Sequence, residues 1–119
     1  MTAFDRLIAA IEAGDPVAAR AQYAPGAKIW HNFDQKEQSV DENIATLEGL
    51  IGLLPSRRYD QIVRHEIPGG VVQQHVLRGT TATGHALEMP ACIIAMLRDD
   101  RVVRIEEYLD TAQAAVLRR

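Results

Sequence analysis

The spacing of apolar residues changes at Pro55, and this change constrains the fold more than any other feature of the chain. Before Pro55 the apolar residues recur at the period of a helix, whereas after it they alternate as in half-buried strands. The alternating segments cover residues 59–67, 71–78, 84–97 and 101–110. Because short turn-like stretches separate these segments, we expect consecutive strands to pair as antiparallel hairpins. The second half of the chain is therefore predicted to form a curved meander.

Two helices are predicted at the start of the chain. An apolar stripe begins at Phe4 and follows Thr2 and Asp5, which together resemble a capping box. A Gly-Asp-Pro turn ends this helix and opens a second one over residues 16–22. Asp15 is the expected N-cap of the second helix.

A third helix begins at a second capping box, formed by Ser39 and Glu42. Its apolar stripe continues to Leu54, and Pro55 ends it. A last short helix is predicted over residues 111–117 from its alanines.

Helices followed by an antiparallel sheet predict an α+β fold, in which the helices cover the concave face of a bent sheet. Pro90 lies inside the third of the four strands and removes a ladder donor, so we expect a bulge or a sheet edge there. Residues 87–97 of the same strand are apolar on both faces. One face is expected to meet a pocket and the other a partner, which predicts a homodimer.

Composition and charge exclude several classes of protein. The chain has 119 residues, 47% hydrophobic and 24% charged, and is expected to form one domain over residues 1–119. A net charge of −3 without a basic cluster beyond Arg118 and Arg119 disfavours nucleic acid and anionic lipid as partners. Cys92 is the only cysteine, which fits a reducing cytoplasm. The longest uncharged apolar run, residues 91–97, is too short to span a bilayer, and no basic signal-peptide region precedes the first helix.

The segment between Ile29 and Phe33 contains the strongest candidates for catalysis or ligand binding. It places Trp30, His31 and Asn32 in a predicted strand just upstream of the third helix. Strand-forming residues beside groups that titrate or form hydrogen bonds are typical of a small-molecule pocket, so the chain is a candidate enzyme. The alternative is that Trp30 covers the core or an interface while His31 and Asn32 face solvent.

Three short segments resemble one known superfamily. They are the Ala-Gly-Asp turn at residues 13–15, the strand entry YAPGAKIW at residues 23–30, and the closing strand RVVRIEEYLD at residues 101–110. Their order and spacing resemble the nuclear-transport-factor-2-like superfamily and, within it, the SnoaL-like group, which is related to ketosteroid isomerases and limonene epoxide hydrolases. The resemblance covers nearly the whole chain. It implies a cone-shaped α+β barrel with one deep pocket, which dimerises through the outer sheet face.

The resemblance to ketosteroid isomerases implies that the catalytic aspartate of those enzymes falls on or beside His31. A histidine, with its ordinary pKa near about 6.5, can move a proton beside a carbonyl at neutral pH. The oxyanion donors of the isomerases fall at Leu7 and near Cys92, and neither residue is a good hydrogen-bond donor. Steroid isomerisation by that machinery is not expected, and Cys92 is expected in the pocket as a small apolar residue.

The resemblance to limonene epoxide hydrolases matches their water-holding aromatic and asparagine residues to Trp30 and Asn32. Their final-strand carboxylate matches Glu107. Their arginine and second aspartate fall on Gln74 and Val76, so the charged relay is missing and epoxide opening by that mechanism is not expected.

The two comparisons disagree about which residues face inward. One points His31 into the pocket, and the other points Trp30 and Asn32 there. Neighbouring strand residues face opposite sides unless a bulge intervenes, so both arrangements stay open.

Glu107 shares one strand face with Val103, Ile105 and Leu109. This otherwise apolar row is expected to line the cone, and burial there would raise the pKa of Glu107 and suit it to proton transfer. The alternative is a purely structural ion pair with a core arginine or with His31.

The other histidines carry weaker signals. His75 shares a face with Gln73 and Leu77, which we assign to the outer sheet surface, and His65 and His85 are isolated. No HxH or HExxH pairing occurs, so no metal site is expected. No glycine-rich phosphate motif occurs either, and no cofactor is expected.

From these residues we expect cofactor-independent acid-base chemistry, of an isomerase, cyclase or hydratase type, on a small apolar carbonyl or polyketide-like molecule. In this hypothesis His31 carries the proton and Glu107 assists it. Asn32 and Gln74 orient a polar group or water, and Trp30 forms a stacking wall. The alternatives are non-catalytic small-molecule binding and a protein-interaction module of the same fold, which a pocket filled by its own side chains would favour.

Overall fold

Helices come first and strands dominate the rest of the chain in the computed structural model, which describes residues 1–119. The helices are α1 (Ala3–Ala13), α2 (Pro16–Arg20), α3 (Val40–Leu53) and α4 (Thr111–Ala114), which continues as a 3-10 turn (Ala115–Arg118). The strands are β1 (Tyr23–His31), β2 (Glu37–Gln38), β3 (Ser56–Ile67), β4 (Gly70–Thr80), β5 (Ala86–Arg98) and β6 (Arg101–Leu109). The predicted helices and the four long strands are confirmed with small shifts at their ends. The short strand β2 is an addition.

The helices begin where the sequence predicts. Thr2 and Asp5 form a reciprocal capping box at the start of α1, and Ser39 and Glu42 form the same box at α3. The side chain of Asp15 accepts a hydrogen bond from the first turn of α2. These side chains satisfy backbone N–H groups that have no partner inside the helix.

Arg57 connects the ends of α1 and α3. Its Nε donates to the carbonyl of Ile11 at 2.7 Å, and its Nη1 donates to the carbonyl of Leu54 at 2.8 Å. Gly14, which ends α1 at a φ of 72°, is needed at this point because a Cβ would come within 2.2 Å of the guanidinium. One charged side chain therefore fixes the two long helices relative to each other.

The strands form one curved sheet in the order β2-β1-β6-β5-β4-β3. Strands β3 to β6 pair antiparallel with their sequence neighbours, which confirms the predicted meander. Strand β1 pairs in parallel with β6, far away in the sequence. Because the order is linear, the sheet is open, with β2 and β3 at its edges, and it does not close into a full barrel.

Register shifts interrupt the ladders at places other than Pro90. One shift lies between Asp60 and Val63, and β4 and β5 pair without interruption through Val76 and Pro90. The prediction of a bulge at Pro90 is therefore wrong. The expected sheet edge is not found either, because β5 lies between β4 and β6. Pro90 lies where the β5–β6 ladder ends, and its carbonyl accepts a hydrogen bond from the N–H of Asp110 at 3.0 Å.

The main core lies between the concave face of the sheet and the helices α1 and α3. Its large members are Phe4, Leu7 and Ile8 from α1, Ile44 and Leu47 from α3, and Ile29, Ile93, Val102 and Ile105 from the sheet. Burying each of these side chains contributes about 1.5–3 kcal/mol, so this interface is the principal source of stability. None of the helices is long and apolar enough to cross a membrane.

Candidate functional site

A cavity of about 410 Å³ lies between α1, α3, the concave face of the sheet and the C-terminal helix. Thirteen of its 21 lining residues are hydrophobic, as is typical of small-molecule sites. Tyr59 is one of the thirteen, and the other eight are Gly49 and the polar residues His31, Asn43, Thr46, His75, Glu107, Thr111 and Arg118. No group of three His, Cys, Asp or Glu side chains is arranged to hold a metal ion.

His31 and Glu107 form the central polar pair of this cavity. They lie opposite each other in the parallel ladder between β1 and β6, and both side chains line the cavity. Nε2 of His31 is 3.3 Å from Oε1 of Glu107, and both side chains are largely buried. The structure therefore points His31 inward, as the comparison with ketosteroid isomerases implies.

The surroundings of His31 determine where its proton lies. Nδ1 is buried and has no hydrogen-bond partner, whereas Nε2 faces the carboxylate of Glu107. The proton of the neutral ring therefore belongs on Nε2, because only there does it meet an acceptor. Since Nδ1 is closed off, a molecule in the cavity meets this pair through Glu107. The carboxylate of Glu107 has no arginine partner, and its ion pair is with His31, which is the other form of the structural alternative predicted from the sequence.

His75 lines the same cavity, which corrects its assignment to the outer sheet surface. It is buried together with Gln73 and Leu77, while Gln74 is exposed. Strand β4 carries polar residues on both faces, so its alternation alone could not show which face is buried. The ring of Tyr59 packs edge-on against His75, with the ring centroids 4.7 Å apart.

Burial sets the charge states around the cavity. It lowers the pKa of His75, and the negative charge of Glu107 partly opposes this effect. Burial raises the pKa of Tyr59 and of Tyr23, and Glu107 raises both further. Both phenols are therefore protonated at neutral pH. Glu107 is the charge that influences all three groups.

Trp30 and Asn32 lie outside the cavity. Trp30 faces the outer side of the sheet, with its ring 5.2 Å from that of Tyr108. The carboxamide of Asn32 donates to the carbonyl of Leu109 at 3.2 Å and accepts from its N–H at 3.0 Å, which extends the β1–β6 ladder. The predictions that Trp30 forms a pocket wall and that Asn32 orients a ligand are corrected, because residues next to the inward His31 point away.

Gln74 and Cys92 also miss the cavity. They pair with each other across β4 and β5 on the outer face, and Cys92 pairs with Tyr108 on β6. Gln74 is exposed and Cys92 is half-buried. The predictions that Gln74 and Cys92 bind a ligand inside the pocket are therefore corrected, because strand residues next to inward-facing ones point to the outer face.

Asn43, Tyr59 and Phe33 are among the lining residues that were not predicted as site residues. Asn43 accepts a hydrogen bond from the hydroxyl of Tyr23 at 3.0 Å, and Tyr59 packs on His75. Phe33 is 52% exposed beside the cavity, with its ring 5.2 Å from that of His31. Asn43 precedes the buried Leu47 by one helical turn, and this spacing alone could have placed it on the inner face of α3.

Comparison with known proteins agrees with this architecture. The SnoaL-like domain family matches residues 4–105. No curated protein sequence matches the chain. A protein provisionally described as a polyketide cyclase from Pseudomonas putida KT2440 is 19% identical, with 96% of each chain aligned and a TM-score of 0.82.

Two further solved structures share the fold. TerC, co-crystallised with polyporic acid, is 16% identical, with 98% of this chain and 96% of that chain aligned and a TM-score of 0.83. A protein from Catenulispora acidiphila with a ketosteroid isomerase-like fold, in complex with trimethylamine, is 10% identical. That alignment covers 89% of this chain and 83% of the other, with a TM-score of 0.78. At these identities the likeness concerns the fold, and the family match over most of the chain carries the assignment: this protein belongs to the SnoaL-like family of the nuclear-transport-factor-2-like fold.

Proposed function

We propose that the protein binds a small, mostly apolar molecule with a carbonyl group and moves a proton on it without a cofactor. One observation carries the proposal: Glu107 presents a carboxylate to a largely apolar cavity, with Nε2 of His31 at 3.3 Å as its one close ionisable partner. A carboxylate in such surroundings can accept a proton from the carbon beside a carbonyl. The polyketide cyclase description of a solved structure with this fold supports the substrate class.

In the proposed reaction a carboxylate oxygen of Glu107 takes a proton from the ligand. The electron pair of the C–H bond moves toward the carbonyl, and an enolate forms. Where a carbon–carbon double bond is conjugated with the enolate, return of the proton from Glu107 to the far carbon of that system isomerises the ligand. Attack of the enolate on a second carbonyl closes a ring instead, and Glu107 returns its proton to the alkoxide that forms. Both outcomes need no oxidant, reductant or metal.

His31 acts as a positioning residue in this scheme. Its Nε2–H faces the carboxylate of Glu107 and orients one oxygen, while its Nδ1 is closed off from the cavity. The scheme therefore exchanges the roles predicted from the sequence, in which His31 carries the proton and Glu107 assists.

Non-catalytic binding is the second candidate function, and the apolar lining of the cavity favours it equally. The interaction-module hypothesis receives no such support, because the cavity is not filled by the protein's own side chains.

We also propose that the protein forms a homodimer through the outer face of the sheet. Apolar side chains that are exposed or half-buried gather on this face, namely Trp30, Val63, Cys92, Ile94 and Tyr108. Val63 and Tyr108 remain 47% and 53% exposed in the single chain. An apolar sheet surface of this kind is typical of a contact between subunits.

Hydrogen–deuterium exchange at the methyl group of acetophenone tests the proposed chemistry. In D₂O we expect the protein to accelerate methyl deuteration, as followed by ¹H NMR, and Glu107→Gln to lower the protein-dependent rate by roughly 10²- to 10⁴-fold. Glu106→Gln is the matched control, because the neighbouring carboxylate faces the other side of the sheet and accepts a hydrogen bond from Arg104 at 3.2 Å. Binding of the ketone without accelerated exchange would leave only the binding function.

A further inference from the structure

His75 has a polar partner on the side away from the cavity. The Nε2 of Gln73, a fully buried residue, lies 3.0 Å from Nδ1 of His75. The oxygen of the same amide accepts a hydrogen bond from Nε of Arg64 at 2.5 Å. Arg64 is itself held by an ion pair with Asp5 and by its position 5.3 Å over the ring of Phe4. The amide of Gln73 is therefore held on both sides.

This arrangement fixes the tautomer of His75. Arginine has only donors, so the oxygen of Gln73 must face Arg64 and its NH₂ group must face His75. An NH₂ group donates, so Nδ1 of His75 accepts and the proton of the neutral ring lies on Nε2. Nε2 forms no hydrogen bond within the protein, and it is not fully buried, so a ligand can reach it. Because His75 is a buried residue that lines the cavity, Nε2 is reached from the cavity.

The sheet register places this donor across the cavity from Glu107. Gln73, Ile93 and Glu107 lie side by side on β4, β5 and β6. Two strand spacings, about 10 Å, therefore separate the backbones of Gln73 and Glu107. His75 lies two residues further along the same face as Gln73, and both His75 and Glu107 line the cavity, so a ring-sized ligand in the cavity can lie between the imidazole and the carboxylate.

We propose that His75, held by Gln73 as the Nε2–H tautomer, donates a hydrogen bond to the carbonyl oxygen of the ligand that Glu107 deprotonates. This inference rests on the proposed function and names the donor that the developing enolate oxygen needs. The hydrogen bond strengthens as negative charge develops on that oxygen, so it stabilises the transition state more than the bound ketone. His75 is then a catalytic residue, and Gln73 and Arg64 are positioning residues.

Burial supports this role by keeping the ring neutral. It lowers the pKa of His75, so at neutral pH the imidazole is the single-proton form whose tautomer Gln73 determines. A neutral imidazole can act as an electrophile toward a carbonyl oxygen.

The first test measures the tautomer directly, by ¹⁵N NMR of histidine-labelled protein without ligand. We expect the Nε2–H form for His75 at pH 7. In Gln73→Glu a carboxylate can accept from both neighbours, so the single proton of the neutral ring should move to Nδ1. Gln74→Glu makes the same change one residue further along, on the exposed outer face, and should leave His75 unchanged.

Arg64→Met covers the case in which Gln73→Glu does not fold. Arg64 is partly exposed, and its removal frees the amide of Gln73 to rotate, so we expect a mixture of His75 tautomers. An Nδ1–H ring in the wild type, or a spectrum that neither Gln73→Glu nor Arg64→Met changes, would overturn the proposal.

The second test uses acetophenone labelled with ¹³C at the carbonyl. We expect a downfield carbonyl shift on binding to the wild type and to Gln74→Glu, and a smaller shift in Gln73→Glu and His75→Phe. The rate of methyl deuteration should fall roughly 10²-fold in Gln73→Glu, as is common for loss of one oxyanion donor.

The two proposals fail in different ways. A carbonyl shift that depends on His75 without any protein-dependent deuteration would remove the proposed catalysis and keep the hydrogen-bond donor. Deuteration at equal rates in Gln73→Glu and Gln74→Glu, or a bound ketone without a carbonyl shift, would remove the role of His75 and keep that of Glu107.

Discussion

Nε2 of His31 lies 3.3 Å from Oε1 of Glu107 because the two residues face each other on the parallel strands β1 and β6. The position of the pair also depends on the end of the β1–β6 ladder, where the side chain of Asn32 forms two hydrogen bonds with the backbone of Leu109. The geometry of the site is therefore set by the pairing of two strands at opposite ends of the chain.

The first prediction ranks the two members of this pair. If Glu107 accepts the proton and His31 orients it, His31→Phe should lower the rate of acetophenone deuteration by only roughly 10- to 100-fold. That range corresponds to about 1.5–3 kcal/mol for a hydrogen bond to a charged group. Glu107→Gln should lower the rate of deuteration further than His31→Phe does. A loss in His31→Phe as large as that in Glu107→Gln would restore His31 as the proton carrier.

The second prediction concerns Asn32, whose role in the structure is to extend a ladder. Asn32→Ala removes two hydrogen bonds to Leu109 and should lower the free energy of unfolding by about 1–3 kcal/mol, as measured by urea denaturation. Gln74→Ala, on the exposed outer face, should stay within about 0.5 kcal/mol of the wild type. Equal free energies of unfolding for the two variants would show that the hydrogen bonds between Asn32 and Leu109 do not stabilise the fold.

The third prediction concerns the helix starts. Ser39→Ala and Asp15→Ala each remove a side-chain acceptor from the first turn of a helix. Each should lower the free energy of unfolding by about 0.5–2 kcal/mol without changing the cavity. Unfolding midpoints identical to that of the wild type would contradict these assignments.

The fourth prediction follows from the lowered pKa of His75. The unfolded chain, with a histidine pKa near 6.5, binds this proton more readily than the folded protein does. The free energy of unfolding should therefore be unaffected by His75 above about pH 6.5 and should fall as the pH is lowered through that value. Urea midpoints between pH 7.5 and 5.5 should drop less steeply in His75→Phe than in the wild type. Equal slopes would show that His75 is not the group responsible.

The fifth prediction tests the homodimer. Light scattering at micromolar concentration should give the mass of a dimer, and Tyr108→Lys should give a monomer, because it places a charge on the apolar outer face. Glu48→Lys, the introduction of a lysine on the exposed side of α3 and away from the sheet, should leave the dimer intact. A wild-type monomer that persists at high concentration would rule out the sheet-face contact.

Local signals in the sequence determined the elements of this protein. The capping boxes at Thr2 and Ser39, the stop at Pro55 and the alternation beyond it act within a few residues, and each appears in the structure where it was predicted. The meander also followed from local information, because short turns force neighbouring strands together. The inward position of Glu107 followed because its strand has one clearly apolar face.

Tertiary structure alone decided the remaining features of the site. Strand β4 alternates polar and apolar residues on both faces, so only pairing with β5 and packing against the helices show that His75 faces inward and Gln74 outward. The contact of His31 with Glu107 joins residues at opposite ends of the chain through a parallel ladder that no local pattern specifies. The physical reason is the same in both cases: a strand repeats every two residues, so a shift of one residue exchanges its faces, and only non-local packing energy selects between them.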